Sequence, residues 1–414
     1  MGLIYLQGGD TVVFGSSGSS GKMKGVKAED VHHFLLNTED LRHRRVSRMV
    51  EEVQKILLQV TSDISNRDSR FHCISNAGIH SDSLKDQPEL LAQWIALQRG
   101  RRTLHPCIQV LSPSQFLVTV PLRGLSGFRQ KKTRRWRYYS PSGTQLLAPA
   151  MEPEKLHQWL EIEQFQKSTP HWHDNDVNIK GDLVPARIIH VFLEHLYRAI
   201  TFCSLSDKVN VLESYGPSIR LNVETSEQMV EVELVPVVEV PGYWPKKSQW
   251  PRFFKRWPLR ERVQCVKSFG FDLLARSNYH WQLSFLRGER LLLEAMDDDG
   301  GCRMKCYRAV RQMKEDVWCP GNHPVINSQH LQMIFLWASE RHPSAKAWKD
   351  LGRCFLRIVR RLQKCARQRF LRHYFVRRAN LLKYADTAQL DALADKLSRF
   401  LQNPSLGQGA SSVC

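Results

Sequence analysis

Gly300-Gly301-Cys302-Arg303-Met304-Lys305-Cys306 stands directly before an amphipathic run from Tyr307 to Trp318. Its two cysteines are four residues apart, which puts both thiols on one face of a helix. A zinc site needs more ligands than this, and no C-x-x-C or H-x3-5-H partner stands near by. The preceding stretch, Arg287 to Asp299, contains neither His nor Cys. The segment therefore reads as small and apolar residues packing a helix start, with no structural zinc expected.

Downstream of Pro258 the chain reads as mostly helical. Arg260–Arg276, Arg303–Asp316, Ser328–Glu340 and Ala347–Arg369 carry helical periodicity. Upstream, Ile108–Leu111 and Gln115–Leu122 read as strands broken by Ser112-Pro113. Ser218–Glu224 and Met229–Val238 read as a strand pair across a polar turn. Helices are expected at 152–167 and 185–203, the second opened by Pro185. Val46, Val50, Val53, Leu57, Val60 and Ile64 advance by fours and threes, which draws one apolar stripe along a long helix. Arg42, Arg44, Arg45 and Arg48 crowd its start. The composition shift near 246–258, rich in proline and tryptophan, marks the expected lobe boundary.

The chain has 414 residues, enough for two or three domains. Its 42% hydrophobic and 24% charged content suits a soluble globular protein. No apolar run approaches the ~18 residues of a membrane span, so no membrane association is expected. The N-terminus lacks the basic region of a secretory signal, and Leu6 stands where a myristoylation motif has Ser or Thr. The ten cysteines are scattered, as in a reducing compartment, which points to the nucleus and/or the cytoplasm. The net charge of +19 attracts polyanions by counterion release.

Seven stretches, taken in order with the Gly300–Cys306 segment, resemble the Mab-21-like (male-abnormal-21-like) family, relatives of cyclic GMP–AMP synthase. They are SQFLVTVPLRGL (114–125), VEVELVPVVEVPGYWP (230–245), QWPRFFKRWP (249–258), FGFDLLAR (269–276), SNYHWQLSF (277–285), KEDVWCPGNHPVI (314–326) and RHYFVRRANLL (372–382). The resemblance runs from about Met23 to Asn403. It implies an α+β, two-lobed nucleotidyltransferase fold: a mixed β-sheet lobe, a long spine helix crossing both lobes, and a C-terminal helical lobe. On that basis residues 1–28, with GSSGSSG at 15–21, are a flexible appendage, and 29–250 form the nucleotidyltransferase-like lobe. Residues 82–107, which do not resemble the family, are an inserted segment. Residues 251–403 form the helical lobe and 404–414 a tail. The resemblance also implies a developmental, cell-fate role.

Nucleotidyl transfer needs a metal pair held by carboxylates, two of them at i and i+2 on one strand and a third on a neighbouring strand. The resemblance places the first pair at Gln115 and Leu117, with Phe116 between them. Gln115 offers a neutral amide oxygen and Leu117 nothing to Mg2+. The third position resembles Glu233, with Glu231 on the same strand face; both are open to a plain reading as a polar strand edge. The Gly-Ser turn that holds a triphosphate is also missing, Gly78-Ile79-His80-Ser81 being the nearest candidate. The expectation is a protein with no catalysis and no cofactor, whose cleft could still take a nucleotide or another anion. The alternative is an active metal-dependent nucleotidyltransferase that senses nucleic acid, with Mg2+ and a nucleotide as its requirements.

Two basic elements carry the binding signal. Arg129, Lys131, Lys132, Arg134, Arg135 and Arg137 interleave with Trp136, Tyr138 and Tyr139, which suits phosphate contact plus base stacking, or a solvated basic loop with buried aromatics. Arg353, Arg357, Arg360, Lys364 and Arg367 advance by fours and threes along one helix stripe. No acid occurs between Gly352 and Tyr384, so the stripe is expected to be exposed. Its partner would be a nucleotide, a nucleic acid or an acidic protein. The oligomeric state cannot be read from the sequence. DNDVNIKGD (174–182) lacks the Gly and Glu of a calcium loop, and His171 and His173 would diverge on a helix, so neither is read as a metal site.

Overall fold

The computed structural model describes residues 26–74, 107–130, 138–139, 145–146, 159–160, 162–167, 169–179, 181–213, 218–246, 248–252, 257–278, 280–321, 323–404 and 406. Residues 82–106 of the expected 82–107 insertion, Gly78–Ser81, Arg134, Arg135, Arg137, the first 25 residues and the last eight lie outside them.

The expected spine is helix α1, Ala28–Arg67, whose 40 residues span about 60 Å at 1.5 Å per residue. Val50, Val53, Leu57, Val60 and Ile64 are buried, and Val46 is half-buried. Their stripe packs on α2 (Pro185–Phe202) and, beyond the sheet lobe, on two C-terminal helices described below.

Among the described residues the main sheet has eight strands. They are β1 (Ile108–Ser112), β2 (Gln115–Pro121), β3 (Trp159–Leu160), β4 (Val209–Leu212), β5 (Ile219–Glu224), β6 (Met229–Val240), β7 (Phe271–Leu274) and β8 (Trp281–Ser284). Their order is β1-β2-β6-β7-β8-β3, with β5 and then β4 added along the first half of β6. Among the described residues only the β2–β6 pair is parallel, so the sheet is mixed. The twelve-residue β6 is the central strand: β2 lies along one edge, and β5 and β7 share the other. It alternates apolar and polar residues at first and becomes continuously buried from Leu234 to Val238, as a strand covered on both faces must.

Helices α3 (Arg260–Phe269), α4 (Leu286–Glu294), α5 (Arg303–Met313), α6 (Ser328–Arg341), α7 (Leu351–Arg367) and α8 (Thr387–Gln402) follow. Side-chain caps fix several starts. Asn327 accepts from the His330 N–H at 3.0 Å, Asp350 from Arg353 at 2.9 Å and Asp386 from Gln389 at 2.8 Å. Helices α5 and α7 meet the spine, and one continuous apolar core joins spine, sheet and helices.

The Gly300–Cys306 segment is a built helix entry. Gly300 takes φ +78°, and the Asp297 carboxylate accepts the backbone N–H groups of Arg303 and Met304 at 2.8 and 3.0 Å. Arg303 is wholly buried. It donates to the Met296 and Pro343 carbonyls at 3.1 Å, pairs with Asp299 at 2.5 Å and lies over the Trp348 ring.

Two expectations are corrected. The helix expected over 152–167 is extended where it is described: 162–167 pairs antiparallel with 125–130, and Phe165 packs edge-on against Trp281 at 5.3 Å. The helix expected over 260–276 stops at Phe269, because Gly270 turns the chain at φ +70° into β7. The sheet therefore takes two strands from beyond the composition shift at 246–258, and the lobes interleave in sequence.

Candidate functional site

The parallel register of β2 and β6 sets the geometry of the candidate centre. Gln115 lies opposite Glu231, and Leu117 opposite Glu233. Strand period two puts all four side chains on one face of the sheet. The Gln115 amide meets His323 Nδ1 at 2.6 Å, and His323 Nε2 is 3.4 Å from Glu231. Arg220 approaches the same carboxylate at 3.8 Å. Glu233 accepts from Arg276 at 2.8 Å. Leu117 is buried with Val235, Val237 and Leu274 in a small apolar cluster.

Two divalent cations at this place would need three convergent carboxylates with free oxygen lone pairs. The residues present do not fit that demand. One strand supplies an amide and an alkyl group. The other supplies two glutamates, each already facing a side-chain nitrogen that is cationic or can become so. Arg276 puts its guanidinium where a carboxylate would otherwise meet a metal, and Leu117 brings apolar packing into the same row. Among the described residues no group of three or more His, Cys, Asp or Glu could hold a metal ion.

The basic stripe stays on one helix, α7, which buries Cys354, Phe355, Ile358, Val359 and Leu362 on the opposite side. Arg353, Arg360, Lys364 and Arg367 are exposed. Arg353 leans toward Asp350 at 3.9 Å, and Arg367 reaches Asp395 at 3.2 Å. Arg360 and Lys364 make no ion pair among the described residues. Arg357 differs from its neighbours: half-buried, it donates to the Ala347 carbonyl at 3.0 Å and covers Trp348.

Arg276, His323 and Arg220 are site residues that the sequence reading did not single out. Arg276 ends the FGFDLLAR stretch and His323 lies in the PGNHP loop, so both were in view as segments. Their pairing with Glu233 and Gln115 depends on sheet register and lobe contact, neither of which leaves a mark in spacing.

Comparison with known proteins matches the model of the Mab-21 protein nucleotidyltransferase domain to residues 105–295 and that of the Mab-21 protein HhH/H2TH-like domain to residues 302–399. The chain is 94% identical over 392 residues to Protein mab-21-like 3 of Xenopus laevis, covering 95% of this chain and all of that protein. It is 54% identical over 376 residues to Protein mab-21-like 3 of Danio rerio, covering 91% and 97% of the two chains. Protein mab-21-like of Drosophila melanogaster is 26% identical over 220 residues, covering 48% of this chain and 56% of that one. With both domain models matched in order and relatives aligned over nearly the whole chain, the protein belongs to the Mab-21-like family.

Proposed function

We propose that this chain is a non-catalytic regulatory member of the family, which keeps the nucleotidyltransferase scaffold to bind an anionic ligand or partner. The observation that carries the reading is the row Leu117–Glu233–Arg276. A buried leucine stands on the metal strand, and the one carboxylate opposite it is held by arginine at 2.8 Å. Removing the metal carboxylates does not disturb the fold, because the core lies in apolar side chains elsewhere. The developmental, cell-fate role that the family resemblance implies then rests on binding, through the degenerate cleft and the basic surface of α7. Nucleus and/or cytoplasm is the proposed location, and a nucleic acid, a nucleotide or an acidic protein the proposed partner.

The test is direct. Purified protein incubated with ATP and GTP, with Mg2+ or Mn2+ and with or without DNA or RNA, is expected to yield no linear or cyclic dinucleotide. A metal-dependent product that disappears in Glu233→Ala would overturn the reading and establish an active, nucleic-acid-sensing nucleotidyltransferase instead.

A further inference from the structure

A cavity of about 600 Å3 has none of the metal-strand site's residues in its wall. Its wall includes Arg252, which is nearly buried. That guanidinium makes a two-bonded pair with Glu340 at 3.1 and 3.0 Å and donates to the Tyr374 carbonyl at 2.8 Å. It also lies over the rings of Trp337, at 4.1 Å, and Tyr374, at 4.8 Å. The charge of Glu340 is thereby consumed. The remaining charged wall residues are Lys267, from the last turn of α3, and Arg372 and Arg377, from the segment between α7 and α8. None of these three has an ion pair among the described residues. Arg372 stacks on Trp337 and Phe370 at 5.9 and 5.8 Å, which positions its side chain without neutralising it.

The surroundings add to the positive charge. Burial destabilises the charged form of Arg361, the Cys365 thiol opposes this, and the like charges of Arg341 and Arg372 add to it. Like charges crowded on packed elements repel one another, and a bound anion would relieve the repulsion. The volume suits a nucleotide-sized molecule, since small-ligand cavities span about 300–1,000 Å3. Three cations from two separate segments around one concavity match several phosphate oxygens better than a single carboxylate.

We propose that this cavity binds a multiply phosphorylated small molecule, with Lys267, Arg372 and Arg377 as its phosphate contacts and the Arg252–Glu340 pair as part of its wall. The site is independent of whether the metal strand is catalytic and of the α7 stripe. It is tested by calorimetry and thermal shift with inorganic pyrophosphate and ATP. Phosphatidylcholine vesicles with and without phosphatidylinositol bisphosphate form a separate arm. Binding to the soluble probes or to the bisphosphate vesicles supports the site, and the arm that responds identifies the source of the phosphates. The double variant Lys267→Ala/Arg377→Ala removes two side chains that make no hydrogen bond, ion pair or ring contact among the described residues, Arg377 being exposed and Lys267 half-buried, and a thermal melt of the variant checks that its folding matches the parent. It is expected to weaken binding by about tenfold or more, as losing charge-assisted contacts implies. The stripe variant Arg360→Ala/Lys364→Ala should bind as the parent does. No binding of any probe at about 1 mM, the weak end of specific recognition, would overturn the proposal. Equal weakening by both variants would do the same, because it would assign the effect to general surface charge.

Discussion

Gly270 is the residue on which the change from helix to strand depends. It holds φ +70°, and a Cβ there would sit 1.9 Å from the Val240 carbonyl oxygen. Gly270→Ala is therefore expected to cost more than about 2 kcal/mol, since strained backbone and a steric clash add; urea denaturation measures it. A second residue-scale prediction concerns Glu289 and His373, both buried and 3.9 Å apart. His373 Nδ1 accepts the N–H groups of Phe375 and Val376, so the ring proton sits on Nε2, facing the carboxyl. Burial raises Glu289 to about 8 from an ordinary 4.5 and lowers His373 to about 4 from 6.5. Between pH 4.5 and 8 the folded state holds the Glu289 proton more tightly than the unfolded one, so stability falls as pH rises through that window. His373 contributes the opposite slope, lost as pH falls from 6.5 toward 4, with Arg252 close enough to reinforce its neutral form. Glu289→Gln keeps the shape and removes the first slope. Its stability relative to the parent should grow steadily from pH 5 to pH 8, and a difference that stays flat with pH would refute the assignment. At this scale the sequence was legible where one residue type is decisive, as at Leu117, which cannot ligate a metal in any register. Arg276 was not, because its role exists only once β6 and β7 are paired.

Among the elements, the spine was the most legible because its four-three stripe repeats over nineteen residues and demands one face. Leu57 is fully buried there, and Leu57→Ala should cost about 2–5 kcal/mol by creating a cavity. An unchanged midpoint in chemical denaturation would detach the stripe from the core. Shorter elements were less legible for a physical reason. Residues 162–167 and 271–274 have four to six residues each, too few for period two and period 3.6 to differ. In both, tertiary contact decides: Phe165 is captured by Trp281, and β7 is captured by the free half of β6. The α7 stripe was readable as periodicity, yet the turn of Arg357 onto Trp348 was not, since Trp348 reaches it only through the short helical turn at Ala345–Trp348.

For the whole molecule the net charge of +19 makes ionic strength the informative variable. If the stripe holds a polyanion through phosphates, log affinity should fall linearly with log salt. Arg360→Gln/Lys364→Gln should then reduce that slope by about two, near one unit per charge removed. Fluorescence anisotropy with unrelated DNA and RNA sequences should show little sequence preference, and binding indifferent to salt would remove the phosphate reading. The spine bears on the molecule in another way. Its Arg45 and Arg48 hold Glu227, and its Glu52 accepts the Ser226 N–H, all at the β5–β6 turn of the sheet lobe. Its Arg42 meets Glu315 and Asp316 at the far end of α5. A single helix thus contributes to the interior of both lobes, and neither lobe is expected to lose it and remain folded. The two should share one melting event: a single heat-absorption peak whose calorimetric and van't Hoff enthalpies agree, with protease cleavage inside the spine releasing both lobes to digestion at the same rate.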